Sequence, residues 1–80
     1  MRDIHRRIKK NKAIEPGFYR HFRGKVYYAF GTAEHSETGE TMVIYRAQYG
    51  DYKLFVRPLA MFKETIDRNG YRGPRFMLVK

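Results

Sequence analysis

The chain has 80 residues, 42% hydrophobic and 16% aromatic, and its 17 Lys and Arg against 8 Asp and Glu leave a formal charge of +9. That size suits a single domain, and the aromatic content excludes a disordered chain whatever its charge. The absence of cysteine excludes disulfides, thiolate metal sites and cysteine nucleophiles, and the longest uncharged run, residues 26–33, is far shorter than the about twenty residues that span a membrane, so a soluble cytoplasmic protein is expected.

Residues 1–15 read as a basic arm, with six basic and two acidic residues. Ile4 and Ile8 share one helical face and Asp3 lies near its start, a stripe too narrow for more than a frayed helix or a flexible arm. Pro16 and Gly17 divide it from one domain over 16–80. "FYRHF" predicts a strand and Arg23-Gly24 a tight turn. "KVYYAFGTAE" predicts a longer strand, bent near Gly31 where a missing side chain permits a bulge. "SETGE" turns into "TMVIYRAQ", and "YGDY" turns into "KLFVR". Pro58 ends that strand and opens one helical turn, "PLAMF". "KETI" resumes as a strand, Asn69-Gly70 marks a turn, and "RFMLV" adds the last strand.

The strands are apolar on both parities: Val26, Tyr28 and Phe30 alternate with Tyr27 and Ala29, and Val43 and Tyr45 with Met42 and Ile44. Bent strands passing between the faces of a small barrel account for this. The expected fold is mainly all-β, a small SH3-like antiparallel barrel of about five strands with one helical turn near 58–62. The expected core is Val26, Tyr28, Phe30, Val43, Tyr45, Leu54, Val56, Leu59, Phe62 and Ile66.

"GFYRHFRGKVYY", "AEHSETGE", "VIYRAQYGDY" and "LFVRPLAMFKETI" follow one another in an order that resembles the bacterial domain of unknown function 1653 (DUF 1653). Its members read G-x-Y-R-H-Y/F-K-G, H-S-E-T, Y-x-A-L-Y-G and L-W-V-R-P-L-x-M-F. The resemblance runs from Pro16 to Phe76, with Phe55 where the family commonly has Trp and the arm outside the pattern. It implies an SH3-like architecture and brings no established activity.

His35-Ser36-Glu37 puts three residues of hydrolytic chemistry side by side, but neighbours in an extended segment point to opposite faces and no Gly-rich oxyanion loop precedes the serine. It reads as a turn, and no enzyme is expected. His5, His21 and His35 lack paired-ligand spacing, so no metal is expected, and no motif calls for a cofactor. Arg20, His21, Arg46, Tyr49 and Arg57 lie at strand ends that a small barrel gathers on one rim. There, guanidinium groups grip a carboxylate or phosphate and rings cover an apolar edge. Arg46 and Arg57 could equally pair with Asp51 or Glu64 to close the barrel. Arg6, Arg7, Lys9 and Lys10 would serve as a polyanion-binding auxiliary. The leading expectation is a binding module for an anionic partner through this basic and aromatic rim. The partner stays open among nucleic acid, an acidic protein segment and a small anion. The other readings are nucleic-acid binding through the basic arm plus barrel and a protein-interaction or assembly domain without a ligand pocket, and the arm's two isoleucines give too little apolar face for a membrane.

Overall fold

The computed structural model describes residues 13–79. Within these residues, seven strands and one short helix follow in the order β1 (Gly17–His21), β2 (Val26–Glu34), β3 (Thr41–Ala47), β4 (Leu54–Pro58), α1 (Leu59–Phe62), β5 (Thr65–Arg68), β6 (Tyr71–Pro74) and β7 (Phe76–Val79). Five form one antiparallel sheet in the order β4-β3-β2-β1-β7. The mainly all-β antiparallel class is as expected from the sequence. No ladder joins β4 to β7. The sheet curls instead until side chains of its two edges meet, the Arg57 guanidinium lying 5.8 Å from the centre of the Phe76 ring.

The sequence predicts two strands here, residues 63–66 and 75–79, around the Asn69-Gly70 turn. Three are present, because Tyr71–Pro74 pairs with Thr65–Arg68 as a separate two-stranded sheet. Gly73 and Pro74, residues depleted in strands, hide β6 in the sequence. The turn itself is where Asn69-Gly70 put it, with φ of 53° and 82°, the pair of positive values a two-residue hairpin turn requires. The bend expected near Gly31 is a β-bulge: the β2–β3 register slips between Ala29 and Gly31, and Gly31 takes a φ of 148° open to few residues with a side chain. Pro58 ends β4 and precedes α1, whose one buried side chain is Phe62.

The core lies on the concave side of the curl. Tyr19, Ala29, Val43, Tyr45 and Phe76 point into it from the strands, and Phe62 and Ile14 close it. Phe62 and Phe76 stack at 4.2 Å with their planes 6° apart. Ile14, assigned to the arm from the sequence, is buried here. The chain beside it is held by the Tyr19 hydroxyl, which donates to the Glu15 carbonyl at 2.6 Å.

Four expected core residues, Val43, Tyr45, Phe62 and Ile66, are buried. Val26, Tyr28 and Leu59 are half-buried, and Phe30, Leu54 and Val56 are exposed. In β2 the inward parity is that of Tyr27 and Ala29, and Ala29 is fully buried. When both parities are apolar, a pattern alone leaves this choice open, and a one-residue difference exchanges the faces. The second apolar parity covers the convex side of the curled sheet, which is itself apolar and exposed, with Phe18, Phe30, Leu54, Val56 and Met77 all open to solvent.

Candidate functional site

Three of the five rim candidates meet at one end of the concave side. His21 ends β1, Arg57 lies near the end of β4, and Tyr49 sits in the loop after β3. That loop is pinned by Ala47 N–H donating to Lys53 C=O at 2.9 Å and Tyr52 N–H to Tyr49 C=O at 3.0 Å, with Tyr52 held at a φ of 55°. Tyr27, Tyr45, Phe55 and Phe76 join them. The Tyr27 ring stands edge-on to Tyr45, Tyr49 and Phe76 at 5.4, 5.6 and 5.7 Å. Phe55 lies across from Tyr45 in the ladder, their rings 5.6 Å apart. The result is an aromatic floor between the two edges of the curl.

Arg57 is the cation on that floor. Its Nε donates to the Tyr45 hydroxyl at 3.0 Å, which fixes the plane of the guanidinium and leaves its terminal nitrogens for another acceptor. Neither Asp51 nor Glu64 neutralises it. Glu64 takes Arg75 at 2.8 Å, and the other ion pair among the described residues is Arg72 with Asp67 at 3.6 Å.

The His21 Nδ1 accepts the Arg23 backbone N–H at 3.1 Å, so the neutral ring carries its proton on Nε2. Burial, followed by the charges of Arg75, Arg57 and Arg23, holds the His21 imidazole below the usual histidine range. The Tyr27 and Tyr49 hydroxyls share a hydrogen bond of 2.8 Å. Burial first, then this bond and the neighbouring phenols, push Tyr27 up to about 12. Lys25 places its Nζ 4.4 Å from the centre of the Tyr49 ring. The assembly is thus cationic and partly shielded from water, a setting in which a bound anion is screened less than on open surface.

Arg20 and Arg46 are not part of it. Both belong to the opposite parity and lie on the convex side, with Arg46 5.4 Å from the centre of the Phe30 ring and its Nε buried without a partner. Strand alternation separates them from His21 and Arg57, which sequence position alone does not reveal. Arg6, Arg7, Lys9 and Lys10 lie outside the described residues. Sequence reasoning passed over Tyr27, Phe55 and Phe76 as members of the rim. The register that sets Phe55 beside Tyr45 would have found the second of them.

The His35-Ser36-Glu37 segment forms a turn, in which the His35 Nδ1 accepts the N–H groups of Glu37 at 3.2 Å and Thr38 at 3.4 Å. No group of metal-ligating side chains occurs among the described residues, and no helix among them is long and apolar enough to cross a membrane. A cleft of about 350 Å³ lies elsewhere, between Ile14, Tyr19, Phe62 and Leu78. A smaller depression of about 220 Å³ borders the rim at Ala47, Tyr49, Asp51, Lys53 and Phe55.

The family model described as "Protein of unknown function (DUF1653)" matches residues 17–78. The fold is similar to the crystal structure of a protein belonging to DUF1653 from Bordetella bronchiseptica. The two are 37% identical, the match covers 82% of this chain and 87% of that one, and the TM-score is 0.77. A search of curated proteins gives no match.

Proposed function

The chain belongs to the DUF1653 family, and from that premise and the geometry of the rim we propose that it is a binding module for an anionic partner. Arg57 carries the reading. Its guanidinium is oriented by Tyr45, lies over Phe76 and meets no carboxylate among the described residues. An anionic group takes its free nitrogens, and an apolar or aromatic body attached to that group covers Phe55, Tyr27 and Tyr49. The His21 Nε2–H is a second donor beside it, and the net charge of +9 draws polyanions toward the surface.

The split of the arginines between two faces supplies the test. Labelled oligothymidylate and a labelled acidic peptide are titrated by fluorescence anisotropy into the wild type, Arg57→Gln and Arg20→Gln. The expected result is a loss of about tenfold or more for Arg57→Gln, the scale of a charge-assisted bond. Arg20→Gln, with the same change of charge on the convex side, costs about twofold. Equal losses in the two variants would refute a rim site and leave only diffuse attraction. Probe choice then reads the partner class: preference for the oligonucleotide favours nucleic acid, and preference for the peptide an acidic protein segment.

A further inference from the structure

Among the described residues, the edge of the sheet beside Arg57 is open. Strand β4 pairs with β3 on one side and with nothing on the other among the described residues. Ala47 N–H donates to Lys53 C=O, which places residues 53, 55 and 57 in the hydrogen-bonded pairs with β3. Leu54 and Val56 therefore direct their backbone N–H and C=O away from the sheet. Their side chains stand on the convex side and are both 63% exposed, although an edge strand is ordinarily blunted by charge. The charge of Lys53 and the missing N–H of Pro58 flank the strand and delimit a window of Leu54, Phe55, Val56 and Arg57.

We propose that this window takes up an extended acidic segment of a partner protein as an added antiparallel strand, an inference that rests on the anion-binding reading of Arg57. The register states what the partner must carry. The residue opposite Val56 exchanges both backbone bonds with it and lies on the apolar convex side. The residues opposite Arg57 and Phe55 fall in the closer, non-bonded pairs and face the concave rim. An acidic side chain opposite Arg57 meets the free guanidinium nitrogens, and an aromatic one opposite Phe55 extends the floor of rings. Read in its own direction, the partner runs acidic, apolar, aromatic, apolar. A second copy of this chain fits less well, since both copies carry +9 and the window itself holds no acid.

The probe is the labelled peptide acetyl-Thr-Glu-Val-Tyr-Val-Thr-amide, whose Glu falls opposite Arg57 and whose first Val falls opposite Val56. Three changes are compared: Val56→Pro, which removes an outward N–H and leaves the β3 ladder; N-methylation of the peptide's first Val; and Glu to Gln in the peptide. Each is expected to weaken binding about tenfold or more, with wild-type peptide shifting the Leu54 and Val56 amide resonances. N-methylation leaves the protein untouched, so it decides the matter even where Val56→Pro does not fold. Unchanged affinity for the N-methylated peptide, with losses for the Gln peptide and for Arg57→Gln, overturns strand addition and leaves the anion site standing. Indifference to Glu against Gln overturns the acidic partner strand, and overturns the anion site as well where Arg57→Gln also leaves oligothymidylate binding unchanged. Arg57-dependent binding of oligothymidylate with none of the peptide overturns strand addition alone.

Discussion

Tyr45→Phe isolates the contact on which the rim depends. Tyr45 is 4% exposed, and its ring packs against those of Tyr27, Phe55, Phe62 and Phe76 at 5.4 to 5.6 Å. The substitution keeps that ring and deletes one hydroxyl, so its cost reduces to the bond from Arg57 Nε at 3.0 Å. Hydrogen bonds to charged groups contribute about 1.5–3 kcal/mol. Arg57 is only half-buried and regains water when the hydroxyl is gone, which puts the loss at about 1–1.5 kcal/mol. For a domain of this size that lowers Tm by roughly 5–10 °C. Thermal and urea unfolding followed by circular dichroism reads it directly. A double-mutant cycle with Arg57→Gln assigns the energy to the pair. The same variant frees the guanidinium to rotate, so affinity for an anionic probe falls several-fold while the aromatic floor is intact. Unchanged stability, zero coupling and unchanged affinity together would refute the idea that Tyr45 orients Arg57.

Phe62→Ala removes the ring stacked on Phe76 from a fully packed site and is expected to cost about 3–5 kcal/mol, close to the whole stability of a small domain, as urea unfolding would register. For His21 the folded value lies below the unfolded one, so as pH falls below about 6.5 the unfolded chain binds the proton first. Its contribution to stability is therefore complete above that pH and lost on acidification through the folded value; urea midpoints between pH 7.5 and 5 should fall less steeply in His21→Gln. A bound anion favours the imidazolium, so affinity for an anionic probe should tighten over the same acid range, and tighten less in that variant. Tyr27 has the opposite sign: its folded value is raised from 10.0 to about 12, so stability present below pH 10 is lost as pH rises toward 12, and Tyr27→Phe should flatten that alkaline limb of the unfolding profile.

Local chemistry made much of this fold legible. Asn69-Gly70, Gly31 and Pro58 each mark a backbone event that few other residues permit, and each event is present where they stand. What parity could not settle was the side of the sheet. Tyr28 and Phe30 outrank Tyr27 and Ala29 in apolar volume, yet the close approach of β2 to the core selects Ala29. The rim suffered from the same ambiguity. Arg20 and His21 are adjacent in sequence and therefore opposite in space, so a set chosen by strand position mixed the two faces. Arg57 and His21 lie far apart in the chain but converge because the sheet curls, a property of its twist and bulge that no single segment encodes.

The pairing of β1 with β7 bears on the order in which the molecule is built. Phe18 opposes Val79, across nearly the entire described chain, whereas β2, β3 and β4 meet their neighbours through short turns. Closing so long a loop is entropically costly, and contacts of this range arise late. The β2–β3–β4 meander can form while β1 still has a bare edge. Phe76, which supplies one half of the central ring stack and the floor beneath Arg57, arrives only with β7. Assembly of the anion-binding rim is therefore coupled to the last step of folding: an incompletely folded chain has the arginine and the Tyr45 that orients it, but not the Phe76 ring beneath them.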